Sequence, residues 1–299
     1  METKLPILEV LNLRVSFQDP VNPSQKIEAV RGISFEAAEG SFTAIVGESG
    51  SGKSVTSLAL TRLTQTKDVT GQVFWRGSRT KKDLLTLNDS ELLDVRGKEI
   101  AYVFQDPASS LNPVLRVGPQ IAEAYRAHFD VSRDHSKNRA LEYLEAVQMK
   151  DALRVYQSYP HELSGGMRQR AAIAMALIAE PRLLIADEPT TALDANVETE
   201  ILNLLLKIKR ERKLTILFIT HNMAHACSYS DVIYVMNQGK MTERLTPSAD
   251  GFHPRTDYAK KLFAASFWNV PPKSILPCVS PNVIPEIFNR ESNLKTNHP

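Results

Sequence analysis

The sequence predicts an α/β fold built on a mainly parallel sheet, and three observations carry that prediction. FTAIV at 42–46 is apolar and β-branched toward its end, as a strand buried on both faces should be, and it runs directly into GESGSGKS at 47–54. RLLIAD at 182–187 and LTILFI at 214–219 are two more short apolar strands, each bounded by helix-forming stretches. Strands that alternate with helices in this way form parallel sheets with crossover connections.

Taken in order, ILEVLNLRVSF at 7–17 alternates apolar and polar residues at Leu11, Leu13, Val15 and Phe17, which predicts a half-exposed strand. DPVNPSQ at 19–25 is a turn by its Pro, Asn and Ser content. Strands are expected at 29–35, 41–46, 72–75 and 100–104, with a polar, helix-compatible stretch, NDSELLDVRGKE, before the last. From Val117 to Tyr159 the period becomes helical, with Ile121, Ala124, Tyr125 and His128, then Ala140, Leu141, Leu144 and Val147, on common faces. This block is an inserted helical subdomain, about 106–180, which carries the 163–180 segment at its end. A helix follows from about Val197 to Arg212 with Ile201, Leu204, Leu205 and Ile208 inward, and VIYVMNQGKMTERL reads as a hairpin. Residues 1–265 are thus expected to form one domain. The 266–299 tail holds prolines at 271, 272, 277, 281 and 285 and is expected to be extended or partly disordered.

Composition narrows the function. At 299 residues the chain is long enough for a substantial core, and 36 Lys and Arg against 34 Asp and Glu give a formal charge of +2. That balance argues against a nucleic-acid binder, whose basic excess is larger and clustered. Cys227 and Cys278 are too few for a disulfide framework or a four-cysteine metal site, which fits a reducing, cytosolic compartment. METKLPILEV lacks the pattern of a signal peptide, and the longest strongly apolar run, AAIAMALIA at 171–179, is less than half of a membrane span. The chain is expected to be soluble, reaching a membrane only through a partner that spans it.

The chemistry is carried by four short stretches. GESGSGKS matches G-x-x-x-x-G-K-[ST] between a strand and a helix-forming run: glycines let backbone N–H groups surround phosphates, Lys53 supplies a point charge, and Ser54 offers a hydroxyl to Mg²⁺. Gln105 ends an apolar strand and is suited to hold Mg²⁺ or an attacking water. His221 follows LTILFI and leaves the sheet at the same edge. ELSGGMRQRAAIAMALIAEPRLLIADEPTTALD at 162–194 joins a Gly-Gly helix start, an anion site by its free N–H groups and dipole, to the carboxylates of Asp187 and Glu188. Whether both ends serve one phosphate is left open by the residues alone.

Together these residues resemble the nucleotide-binding subunit of an ABC transporter, over roughly 5–265, with LSGGMRQR at 163–170 ahead of LLIADEP as the identifying feature. GESGSGKSV, FQDPASSLNPV, YPHELSGGMRQR, IADEPTTALD and the HP-x-T of His253 to Thr256 are similar to one branch, the ATP-binding subunits of bacterial oligopeptide and dipeptide importers, which nickel, glutathione and opine importers share. The resemblance implies a P-loop NTPase, RecA-like core with an N-terminal antiparallel β subdomain and the inserted helical subdomain. It implies ATP and Mg²⁺ as cofactors. Gly47, Glu48, Ser49, Gly50, Ser51, Gly52, Lys53 and Ser54, with Val55, would form the phosphate loop, and Ser54, Gln105 and Asp187 would serve the metal. Glu188 would be the general base, His221 the switch histidine, and Gln105 the sensor of the γ-phosphate. Phe17 stands where the family places an aromatic against adenine, with a core role for a strand residue as the lesser alternative. Asp194 is the D-loop aspartate.

In the family's head-to-tail dimer, Ser164, Gly165 and Gly166 reach the nucleotide of the other subunit. The resemblance implies two transmembrane permease subunits, a second ATP-binding subunit with a homologous heterodimer favoured over a homodimer, an extracytoplasmic binding protein acting indirectly, and a peripheral place on the cytoplasmic face of the inner membrane. An ABC-type ATPase of a soluble complex, resembling phosphonate-degrading assemblies, is the alternative; a P-loop phosphotransferase would leave LSGGMRQR without a task. Three departures stand out. Asn222 follows His221 where the family more often has Asp, and HPRT replaces the commoner HPYT. Cys278 is the only cysteine in the tail, so no iron–sulfur cluster is expected.

Overall fold

The computed structural model describes residues 5–22, 24–77, 80–106, 110–191 and 193–266. Its centre is a six-stranded sheet in the order β10-β9-β3-β8-β7-β6. The strands are β3 (Phe42–Val46), β6 (Ile100–Val103), β7 (Leu183–Asp187), β8 (Thr215–Thr220), β9 (Val232–Asn237) and β10 (Lys240–Leu245). Five run parallel and β10 returns antiparallel to β9. Every residue of β3, β7 and β8 is buried, which is why these strands read as unbroken apolar runs. The hairpin expected at 232–245 is present and forms the sheet's edge.

Strand pleating sends alternate side chains to two separate cores. Phe42, Ala44 and Val46 of β3, Leu184 and Ala186 of β7, and Ile216 and Phe218 of β8 face one apolar cluster. Ile45, Leu183, Ile185, Leu217 and Ile219 face the other. The first cluster is roofed by helices α3 (Val117–Arg126), α4 (Arg133–Ala146), α5 (Ala152–Gln157), α6 (Gly165–Leu177), α7 (Ala195–Arg212) and α8 (Met223–Tyr229). Ile201, Leu204, Leu205 and Ile208 of α7 are buried as the periodicity predicts. His128, expected to share the face of Ile121, lies beyond the end of α3, whose C-cap is Ala127.

The second cluster is closed by helix α1 (Lys53–Leu60) and a four-stranded antiparallel sheet, β2-β1-β4-β5. Its strands are β1 (Pro6–Gln18), β2 (Lys26–Ala38), β4 (Val69–Trp75) and the two-residue β5 (Lys82–Asp83), which the sequence did not signal. The even alternation expected along 7–17 is interrupted. Register shifts between Val10 and Leu13 against β2, and between Leu11 and Arg14 against β4, mark a bulge in which Asn12 takes φ 49°. Leu11 is consequently 37% exposed, while Leu8, Val10, Leu13 and Val15 are buried. Helix α2 (Asp89–Val95) opens on a capping box in which Asn88 and Glu91 satisfy each other's backbone N–H groups.

The last described helix, α9 (Asp257–Ser266), was not anticipated by the sequence. The Glu243 carboxylate on β10 accepts the N–H groups of Arg255 and Thr256, at 2.8 and 3.0 Å, and the Thr256 hydroxyl at 2.8 Å. Thr256 Oγ1 in turn accepts the N–H of Ala259. These bonds fix the start of α9 against the sheet edge. The proline-rich tail beyond Ser266, including Cys278, lies outside the described residues. No described helix is long and apolar enough to cross a membrane.

Candidate nucleotide site

The carboxyl ends of the parallel strands gather the chemistry, the place where open α/β sheets bind ligands. The loop after β3 leads through Gly52, in the left-handed region at φ 101°, into the N-terminus of α1. A Cβ on Gly47 would lie 2.1 Å from the carbonyl oxygen of Met236, and one on Gly52 would lie 2.6 Å from that of Ala29. Only glycine lets the loop pass so close to the β9–β10 hairpin and β2. The Gly239 N–H of the hairpin turn donates to Ser51 O at 2.9 Å and holds the loop from behind.

Lys53 is 4% exposed, and its ammonium donates to the carbonyls of Gly47 and Glu48, both at 2.9 Å. Burial pulls its pKa down, and the carboxylates of Glu188 and Asp187 oppose that shift. An ammonium held by two loop carbonyls at the helix N-terminus leaves a local excess of positive charge suited to phosphate.

Asp187, at the end of β7, is 4% exposed. Its Oδ1 accepts Ser54 Oγ at 3.0 Å, and its Oδ2 accepts the Tyr102 hydroxyl at 2.8 Å. Burial pushes the carboxyl above its usual range; the bonds from Tyr102 and Ser54 pull it back, and neighbouring Glu188 adds to the rise. The Tyr102 hydroxyl also lies 2.6 Å from Ser57 Oγ, and burial together with the adjacent Asp187 charge raises its pKa, so it remains a neutral donor.

Glu188 follows with φ 46°, a conformation uncommon for a residue carrying a side chain. Its N–H stays bonded to Ile219 O of β8 at 2.8 Å while the chain turns away. Three groups converge on Oε2: Thr191 Oγ1 at 2.9 Å, His221 Nδ1 at 3.2 Å and Gln105 Nε2 at 3.3 Å. Gln105 comes from the end of β6 and His221 from the end of β8, so three neighbouring strands deliver one cluster. Such unusual backbone held by several contacts belongs with functional sites.

Ser49, Gly50, Gly52, Lys53, Ser54, Val55, Gln105, Glu188 and His221 line an open cavity of about 560 Å³, together with Ala29 and Glu48. Leu262 of α9 supplies a further wall. Phe17 is not among the described lining residues. It is half-buried, pairs with Ile27 across β1 and β2, and packs against the second cluster.

Ser164, Gly165 and Gly166 also lie away from this cavity. Ser164 caps α6, its Oγ accepting the Met167 N–H at 3.3 Å. A Cβ on Gly166 would meet Val197 at 2.7 Å, and one on Gly165 would meet Leu193 at 3.3 Å. Asp194 caps α7 through the N–H of Val197 at 3.0 Å. The glycine pair therefore sits against the start of α7, and the two ends of the 162–194 stretch do not share one pocket within this chain.

The Ser54 hydroxyl and an Asp187 carboxylate oxygen, 3.0 Å apart beside the phosphate loop, are hard oxygen donors. Mg²⁺ takes one or two such protein ligands and completes its shell with phosphate and water, so this pair fits the ion. Tyr102 and Leu262 were missed by sequence reasoning. Tyr102 looked like one more strand residue, and Leu262 sits in a helix with no separate signal.

The ABC transporter family matches residues 30–191. The oligopeptide transport ATP-binding protein OppD of Bacillus subtilis is 42% identical over 262 residues, covering 87% of this chain and 71% of that protein. The glutathione import ATP-binding protein GsiA of Escherichia coli is 43% identical over 263 residues, and the match spans 42% of its length. Among solved structures, the cassette MJ0796, dimeric in a post-hydrolysis state with ADP and Pi, superposes with a TM-score of 0.70 at 28% identity, over 80% of this chain and 98% of that one. The cbiO1 subunit of the cbiONQ transporter complex from Clostridium perfringens gives 0.67 at 25% identity, over 89% and 96%. With a phosphate loop, an acidic strand end and a histidine on one sheet edge, the chain belongs to the ABC transporter family and is one of its ATP-binding, ATP-hydrolysing cassettes.

Proposed function

We propose that the chain is the ATP-hydrolysing subunit of a bacterial importer for di- or oligopeptides or a related solute, glutathione and nickel included. The convergence of Gln105, Thr191 and His221 on a single Glu188 oxygen, beside a buried Lys53, is the observation that carries the hydrolytic part. The 42% identity to an oligopeptide transport subunit supports the importer part.

Phosphoryl transfer needs positioning and charge neutralisation more than covalent chemistry. Gly47 to Ser54 and Val55 cradle the phosphates through backbone N–H groups, and Lys53, held by the carbonyls of Gly47 and Glu48, turns its third N–H to the β- and γ-phosphate oxygens. Ser54 and Asp187 would hold Mg²⁺, with Gln105 as a further ligand or sensor, and the ion would supply charge neutralisation for the transferred phosphate. Glu188 accepts a proton from the attacking water, and His221, within 3.2 Å of the same carboxylate oxygen, contacts the γ-phosphate and holds Glu188 in place. An adenine contact by Phe17 rests on the family resemblance alone, since its ring packs against the second cluster and is not among the described lining residues.

Ser164, Gly165 and Gly166 act at the nucleotide of a second ATP-binding subunit, a homologous one in preference to a copy of this chain, and Asp194 lies at the interface between the two. Two permease subunits, fed by an extracytoplasmic binding protein, receive the motion at the cytoplasmic face of the inner membrane. Purification from detergent extracts tests this reading. Two membrane permeases are expected to accompany the chain, with ATP hydrolysis that rises when they are present. Recovery with soluble partners alone, as in phosphonate-degrading assemblies, would overturn it.

A further inference from the structure

The peptide unit between Gly47 and Glu48 is held from both sides. Its carbonyl accepts Lys53 Nζ at 2.9 Å, and its N–H donates to the hydroxyl of Tyr258 at 3.2 Å. The carbonyl and N–H of a trans peptide point in opposite directions, so rotating this plane away from Tyr258 also turns the carbonyl that carries Lys53. Tyr258 belongs to α9, more than two hundred residues further along the chain, and is partly buried against the first core. From the same helix Leu262 lines the nucleotide cavity. Ala259, between them, is fully buried, and the Glu243–Thr256 bonds fix the helix start. The C-terminal helix therefore has a fixed position and a polar contact to the phosphate loop.

We propose that Tyr258 is a positioning residue for the nucleotide. Through the Gly47–Glu48 peptide it sets the place of the Lys53 ammonium, and α9 is a working wall of the ATP site. The proposal rests on the phosphate-loop reading of Lys53 given above.

Titration of the full-length chain with a fluorescent ATP analogue, for wild type, Y258F, K53A and the double variant, tests this. Y258F removes one hydroxyl and keeps the ring. Binding is expected to weaken several-fold in Y258F, with the nucleotide-free melting temperature unchanged. In the K53A background the same substitution is expected to add nothing, since its effect passes through Lys53. Wild-type affinity in Y258F while K53A binds weakly would overturn the role of Tyr258 and leave the phosphate-loop reading intact. Losses that multiply in the double variant would overturn the route through Lys53. Wild-type affinity in K53A would remove the phosphate-loop reading and this inference with it. Amide exchange at Glu48 gives a second readout: faster exchange in nucleotide-free Y258F is expected, and an unchanged rate counts against the bond.

Discussion

Tyr102 and Asp187 share a hydrogen bond of 2.8 Å between a half-buried phenol and the carboxylate oxygen that does not bond Ser54. The phenol thus occupies Oδ2 and leaves Oδ1 for the cation side. Tyr102→Phe removes that donor, so the Asp187 carboxyl, already pushed up by burial, loses the largest influence opposing the rise. Partners that orient metal ligands typically contribute about 10-fold or more in metal affinity. Mn²⁺ binding to the ATP complex, followed by electron paramagnetic resonance, is expected to weaken by about that factor. An unchanged cation requirement would remove Tyr102 from this role.

Glu188→Gln keeps the shape of the side chain and its amide oxygen near His221 but cannot take a proton. Hydrolysis is expected to fall by roughly 10²- to 10⁴-fold, the usual contribution of a positioned general base. ATP binding should persist, and the ATP-bound form should associate into dimers that do not turn over. Single-turnover hydrolysis and light scattering check the two halves separately. A variant that retained near-normal hydrolysis would show that the base lies elsewhere.

Gly47→Ala places a methyl group 2.1 Å from Met236 O, closer than any atom pair tolerates. Because the contact is with backbone, relief requires the hairpin of β9 and β10 to move, not a side chain to rotate. Loss of ATP binding is expected together with a lowered melting temperature. Gly50→Ala is the control: no atom lies within 4 Å of its Cβ, and its φ of 78° leaves only backbone strain, about 1 kcal/mol. A stability loss in Gly47→Ala no larger than that of the control would contradict the packing argument.

His225 gives the fold a pH dependence whose sign follows from its burial. Burial, with the nearby His221 charge adding, pushes its pKa down to about 4 from 6.5. The unfolded chain therefore takes up a proton at this residue as pH falls below 6.5, while the folded chain resists until about 4. The stability it contributes is complete above 6.5 and is lost across that interval. Glu198, with Oε2 3.9 Å from His225 Nε2, has its carboxyl raised by burial and acts in the opposite direction. In His225→Gln the urea midpoint should fall less steeply between pH 6.5 and 4 than in wild type. Parallel curves would show that His225 does not carry this dependence.

The parts of the site that sequence revealed are those in which chemistry and local backbone coincide. Asp187 ends a buried strand, and Lys53, Glu188 and His221 each follow one closely, so reading the strands also placed the residues. Gln105 became meaningful only beside them. Tyr102 gave no such signal, because an aromatic in an apolar strand is core until the partner across the sheet is known. Tyr258 and Leu262 were hidden for a related reason. They reach the site only by tertiary return of α9, whose anchoring depends on Glu243 in a distant strand. The bulge at Leu11–Asn12 is likewise set by pairing on both sides, against β2 and β4, and not by the composition of β1.

The pleat of β3 places Ala44 and Ile45, adjacent in the chain, in different apolar clusters. Substitutions lying far apart with no common partner act nearly additively, whereas those in contact do not. The helical roof and the antiparallel floor can therefore drift in sequence on separate schedules, each constrained by its own side of the sheet. Only the strand backbones and the loops leaving their carboxyl ends answer to both. A chain built on this plan can change one layer while the strand ends that carry the chemistry stay the same.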